Sequence, residues 1–183
     1  PLSEVAGLAL PGPAGHRDAV IRTAARPPVE LYTLPDPAFH LFDLETALDR
    51  HRVDATRHIG SHHCSSLRSA LTLYASRGCL YGCVFCPESH RPRRVRALSP
   101  ARFVEQLARL GARLGALDVV MADNLFTWDR EHTLALCRLL AARSLPITWT
   151  AMTRTDRVDP ELLEAMAAAG CVELAFGVES GAP

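Results

Sequence analysis

The sequence predicts an α/β protein: the first half of a parallel (β/α) barrel, about four βα units, preceded by a Pro-rich connecting region. Two observations carry that expectation. From residue 70 onward, short apolar runs alternate with segments whose apolar residues recur at helical spacing, and the connections between them are short. Before that point, 7 of the 13 prolines lie in the first 37 residues, where they prevent long helices and favour turns and extended backbone. The expected division is 1–69 as connector and 70–183 as half-barrel.

Within the connector, Pro11-Gly12-Pro13, Pro27-Pro28 and Pro35-Asp36-Pro37 leave room for short strands near Ala19–Thr23 and Val29–Tyr32 and a short helix from Leu44 to Arg50. Leu71–Ala75 reads as the first barrel strand. Ser99 is placed as an N-cap with Pro100 at the first helical position, and Phe103, Leu107, Leu110 and Leu114 build one face of the helix that follows. Leu117–Met121 (LDVVM) is an apolar run suited to a strand buried on both sides. The second helix is expected to be capped by Thr127, with Asp129 and Glu131 in its first turn and Leu134, Cys137 and Leu140 facing inward. Ile147–Met152 is the third strand, Asp159-Pro160 opens a helix that Gly170 closes, and Val172–Val178 is the fourth strand. An open doubly wound sheet is the alternative, but no Gly-rich phosphate loop follows the first strand. The start at Pro1 and the stop just after the fourth strand read as arbitrary cuts, so an excerpt of a longer protein is expected.

Composition removes several classes of function. Twenty basic side chains, all Arg, balance 20 acidic ones, so there is no long-range basic field of the kind a general nucleic-acid binder uses. With 48% hydrophobic residues the chain can bury a core. No targeting presequence and no bilayer-length apolar run is visible, and the reducing cytoplasm is the expected compartment. There, clustered cysteines are more often metal ligands than disulfides.

Three of the six cysteines, Cys79, Cys83 and Cys86, fall within eight residues in RGCLYGCVFC, a CxxxCxxC pattern. Soft sulfur ligands this close can converge on an iron–sulfur cluster or on zinc. A structural zinc site wants four ligands, and His90 can supply the fourth. A cubane held by three Cys instead leaves one iron open to a substrate or cofactor. The cluster lies just past the C-terminal end of the first strand, on the face where parallel barrels carry their active sites.

CxxxCxxC with an aromatic residue before its last Cys, after the first strand of a βα array, resembles the radical S-adenosylmethionine (SAM) superfamily. The stretches RRVRALSPARFVEQLARL, MADNLFTWDR and AGCVELAFGVESG are similar to the branch whose members often carry an N-terminal cobalamin-binding domain. The opening segments GLALPG and PPVELYTLPDPAFHLFDL resemble the linker joining that domain to a radical SAM-type barrel. The resemblance implies that Cys79, Cys83 and Cys86 hold a 4Fe-4S cluster whose fourth iron binds SAM. One electron would then cleave SAM to methionine and a 5′-deoxyadenosyl radical.

It further implies that Phe85 lies near the adenine, and that Glu179 and Ser180 of GVESG contact SAM. Packing under the loop is the other reading of Phe85, and an ion pair with Arg154 the other reading of Glu179. Asp123 and Asn124 stand where relatives often carry a Gly-Gly-Glu-like stretch that holds the methionine part of SAM. Here the text is Ala122-Asp123-Asn124, and helix capping competes. Arg154 reads as a surface ion pair, the run His90–Arg96 as a solvated connector, and Cys137 and Cys171 as core thiols.

His62, His63 and Cys64 form a small metal-capable group without its remaining ligands. The segment from Asp54 to Gly60, with His58, approaches the Asp-x-His-x-x-Gly pattern of cobalamin ligation at the wrong spacing, so cobalamin would be bound mainly by a domain outside this chain. The resemblance implies methyl transfer or related carbon chemistry on a small molecule, with a flavodoxin- or ferredoxin-type protein as electron donor and neither membrane nor nucleic acid as partner. A cobalamin-independent radical SAM enzyme such as a methylthiotransferase, and a zinc-stabilised Cys/His interaction module, are the alternatives.

Overall fold

The computed structural model describes residues 1–12, 19–48 and 70–181. In chain order the elements are β1 (Ala9–Pro11), β2 (Val20–Arg22), α1 (residues 44–48), β3 (Ala70–Leu73), β4 (Ser76–Arg77), β5 (Arg96–Ala97), α2 (Pro100–Leu114), β6 (Leu117–Met121), α3 (Arg130–Arg143), β7 (Ile147–Thr153), α4 (Pro160–Ala168) and β8 (Cys171–Phe176). The four strands β3, β6, β7 and β8 form a parallel sheet in sequence order, each paired with the next. Helices α2, α3 and α4 form the connections, which gives the expected partial barrel.

Burial follows the pleat. Along β6, Leu117, Val119 and Met121 are buried against the helices, while Asp118 and Val120 point to the other face and are half-buried. The helices supply the matching side: Phe103, Val104, Leu107 and Leu110 of α2, and Leu134, Leu136, Cys137 and Leu140 of α3. Trp149 on β7 is fully buried, stacks obliquely on Phe126 at 5.1 Å between ring centroids, and donates its indole N–H to the Ala169 carbonyl at 2.8 Å. Burying one such aromatic side chain contributes about 2–3 kcal/mol.

The helix ends are set by local chemistry. Ser99 Oγ accepts from the Arg102 amide at 3.3 Å and Pro100 occupies the first turn of α2, as expected. Asp159 caps α4 in the same way, accepting from Leu162 at 2.9 Å. Gly170, at φ +92°, turns the chain after α4, where a Cβ would strike the Ile147 carbonyl. Asp129, not Thr127, caps α3: its carboxylate accepts from the His132 amide at 2.7 Å. Thr127 is instead buried and shares a hydrogen bond with the Thr153 hydroxyl, tying the loop after β6 to the end of β7.

In the connecting region β2 falls within the strand expected near Ala19–Thr23 and pairs antiparallel with β1, while residues 29–32 depart from expectation, running into a 3₁₀ turn at Leu31–Thr33 instead of a strand. The segment is also docked. Leu31 and Leu44 enter the barrel core, and α2 presents Arg102, Gln106, Arg109 and Arg113 to it along one face. Asp36 accepts from the first three of these, and Arg113 reaches Glu45 and the carbonyls of Phe39 and Phe42. The helix expected over Leu44–Arg50 is present through residue 48, and its last two positions lie outside the described residues. The fourth strand ends earlier than expected, at Phe176, and Glu179 lies beyond it at φ +61°.

Candidate active site

The cysteines sit on a loop closed at its base. β4 and β5 pair antiparallel, Ser76 with Ala97 and Arg77 with Arg96, and so pinch residues 78–95 into one excursion at the C-terminal end of β3. Gly78 starts it at φ +101°, where any Cβ would strike the Arg94 carbonyl on the returning strand. A turn bond from the Cys86 amide to the Cys83 carbonyl, 3.0 Å, and the 3₁₀ turn Pro87–His90 shape the far side.

Asp123, at the end of β6, fixes this base to the sheet. Only 3% exposed, its carboxylate accepts from the Ala75 amide at 3.2 Å and from both the amide and the hydroxyl of Ser76. Burial pushes its carboxyl above the ordinary value, against the pull of the bonds from Ser76 and Ala75. Its oxygens support the base of the cysteine loop and do not cap a helix. The neighbouring Asn124 is exposed at the rim. Beside it, Tyr74, Val120, Ala122, Met152 and Ala175 line a largely apolar pocket of about 260 Å³ at the mouth of the sheet.

Cys79, Cys83 and Cys86 are half-buried free thiols. As the loop stands, no group of three or more His, Cys, Asp or Glu side chains among the described residues is drawn together closely enough to hold a metal ion. The donor chemistry nonetheless fits an iron–sulfur cluster: three soft sulfurs, none in a disulfide, on one short loop anchored to the sheet. His90, the fourth ligand of the zinc reading, is exposed at the end of its 3₁₀ turn.

Phe85 is 64% exposed beside the 95% exposed Val84, so it does not pack under the loop. Glu179 and Ser180 are exposed on the stretch after β8, on the same end of the sheet, with the Ser180 amide bonded to the Val178 carbonyl at 2.7 Å. Arg154 does not pair with Glu179; it holds Asp156 through two bonds of 2.8 and 2.9 Å. The basic run is spent within the chain, Arg91 on Glu88, Arg94 on Glu30, Arg96 on the Val29 carbonyl and Arg93 against Gly82. Cys137 is buried, and burial pushes its thiol up to about 12. Cys171 packs against the same core. The group at His62, His63 and Cys64 and the segment from Asp54 to Gly60 lie outside the described residues.

Two participants were not singled out in the sequence. Ser76 precedes the motif and carries no motif signal. Tyr81 lies inside it, and its ring carries Arg154 at 4.1 Å and Arg157 at 5.3 Å from its centroid. Its one signal in the sequence is an aromatic residue between two motif cysteines.

The fold and this loop define a partial α/β barrel with a three-cysteine loop at the end of its first strand, and comparison with known proteins identifies the family. The sequence profile of the Radical SAM superfamily matches residues 73–183. The chain belongs to that superfamily. It is 32% identical over 109 residues to an uncharacterized methyltransferase of Pyrococcus horikoshii, covering 59% of this chain and 24% of that one. It is 30% identical over 153 residues to cytidylyl-2-hydroxyethylphosphonate methyltransferase of Streptomyces wedmorensis, covering 83% and 27%. Among solved structures, the radical SAM methyltransferase TsrM of Kitasatospora setae, with cobalamin and a [4Fe-4S] cluster bound, shares the fold. The TM-score is 0.58 at 24% identity, over 63% of this chain and 23% of TsrM. The chain spans about a quarter of the length of these curated relatives. No helix among the described residues is long and apolar enough to cross a membrane.

Proposed function

We propose that this chain is the SAM-cleaving portion of a cobalamin-dependent radical SAM enzyme that transfers a methyl group to carbon of a small molecule. The observation that carries the reading is the loop at the end of β3, where three free thiols in CxxxCxxC spacing are pinned by Gly78, the β4–β5 ladder and Asp123. The relatives named as methyltransferases, and the cobalamin-bound neighbour in fold, support the choice of reaction.

Cys79, Cys83 and Cys86 would hold a 4Fe-4S cluster with one iron left for SAM. When bound, the cluster would supply the single electron that splits SAM into methionine and a 5′-deoxyadenosyl radical. The chain's own residues bind and orient. Phe85 offers an exposed aromatic face for the adenine, and Asn124 at the rim offers an amide to the methionine part. Glu179 and Ser180 offer acceptors to a ribose hydroxyl or an ammonium group. The apolar pocket beside Tyr74 and Met152 keeps water from the reacting end. Cobalamin would be held mainly by a domain outside this chain, the electron would come from a flavodoxin- or ferredoxin-type protein, and the reducing cytoplasm suits both.

The test is anaerobic reconstitution of the complete protein with iron and sulfide. The dithionite-reduced sample is expected to give a 4Fe-4S EPR signal that shifts on adding SAM, with 5′-deoxyadenosine formed and lost in Cys83→Ala. A colourless protein holding one zinc and forming no 5′-deoxyadenosine overturns the reading.

A further inference from the structure

Between two of the ligand cysteines, the ring of Tyr81 is clasped by a turn that follows the third barrel strand. The Arg154 guanidinium lies over its face at 4.1 Å, and Arg157 lies 5.3 Å from the ring centroid and donates from Nε to the phenol oxygen. The contact crosses 76 positions of sequence. Arg154 is itself held in plane by two bonds to Asp156, so its edge is fixed while its face stacks. Arg157 in turn is tied to the Arg154 carbonyl at 3.1 Å by the 3₁₀ turn Thr155–Arg157, which continues directly from β7. That strand is flanked on both sides by paired strands and carries the fully buried Trp149. The cysteine loop is thus fastened to the end of a central strand of the sheet.

We propose that Arg154 and Arg157 are positioning residues for the cysteine loop, acting through Tyr81 and setting positive charge beside the thiol ligands. The inference rests on the cluster-binding reading of that loop. Base and tip of the loop are then held separately, the base by Asp123 and the tip by the clasp. A cation close to thiolate ligands favours the more negative, reduced state of a bound cluster, so losing it lowers the midpoint potential.

The test has two readouts. On the cluster-free protein, hydrogen–deuterium exchange of residues 79–86 is compared among wild type, Tyr81→Leu and Tyr81→Phe. Tyr81→Leu is expected to exchange roughly two- to fivefold faster there, as loss of a partly exposed cation–π contact implies, while Tyr81→Phe keeps the ring face and most of the protection. On the reconstituted protein, Arg154→Gln is expected to lower the midpoint potential and Arg154→Lys to restore it. Exchange in Tyr81→Leu equal to wild type overturns the proposal, and so does a potential that Arg154→Gln leaves unmoved. Failure of the wild type itself to take up iron would defeat the functional reading, while the exchange comparison would still decide the clasp.

Discussion

The Asp36 carboxylate accepts two hydrogen bonds from the Arg102 guanidinium, at 3.1 and 2.8 Å, across 66 positions of sequence. The same carboxylate takes Gln106 at 2.7 Å and Arg109 at 3.2 Å, so one acidic side chain between two prolines collects three side chains of α2. Arg102 also reaches the carbonyls of Tyr32 and Leu34. The Pro-rich segment therefore has a fixed seat on the outer face of the first barrel helix.

Replacing Asp36 should loosen this seat. Because the carboxylate is about one-third exposed, solvent screening limits the expected loss for Asp36→Ala to about 1 kcal/mol, read as a lower urea midpoint. Its pH dependence has a definite sign. Hydrogen bonds from Gln106 and Arg102 hold the carboxyl below its ordinary value of 3.8, so its contribution is present above that pH and lost as pH falls through the folded value. Wild type should lose protection of residues 29–36 below about pH 3.8, and Asp36→Asn should flatten that dependence.

Removing the Asp123 carboxylate strands three donors. Asp123→Ala leaves the Ala75 amide and both Ser76 donors without their acceptor, at a cost of about 1–3 kcal/mol in a denaturant titration. Iron retained after reconstitution should fall as well, since the base of the cysteine loop is released. The pH sign is opposite to that of Asp36. The folded carboxyl lies above 3.8, so its contribution is present below that pH and declines as pH rises through the folded value.

Thr127 and Thr153 offer a double-mutant test. Thr153→Val leaves the buried Thr127 hydroxyl without its partner and should cost about 1–3 kcal/mol, while Thr127→Val leaves the Thr153 hydroxyl only the longer bond to the Arg154 carbonyl, 3.5 Å. The double variant should cost less than the two single changes added together, because the stranded hydroxyl disappears. Additive losses would mean that the two hydroxyls do not act as a pair.

His90 separates the two metal chemistries. His90→Ala should leave iron content and 5′-deoxyadenosine formation at wild-type levels, since the side chain is exposed and outside the three-cysteine set. Metal loss in this variant, measured by elemental analysis, would favour the zinc site.

The barrel was legible because its signals are local. Helical spacing of Phe103, Leu107 and Leu110, the run Leu117–Met121, and the Ser99-Pro100 and Asp159-Pro160 starts each depend on a few neighbouring residues. The cap of α3 was misplaced because Thr127 and Asp129 are both good capping residues two positions apart. Tertiary pairing with Thr153 claimed Thr127. Glu179 illustrates the same limit: an ion pair with Arg154 is reasonable by charge, but Asp156 is two residues from Arg154 and takes the Nε–Nη2 edge of the guanidinium.

What the sequence determined by itself is the architecture and the set of sulfur donors. Periodicity fixes strand and helix type, and the CxxxCxxC spacing puts three soft donors on one short loop whatever the rest of the chain does. What only the tertiary structure decided is how that chemistry is held in place. Asp123 beneath the loop, Tyr81 between two arginines, and Asp36 on α2 all join residues dozens of positions apart. Charge and hydrogen-bonding capacity are readable one residue at a time, but a polar group takes its partner from what folding brings within about 3 Å.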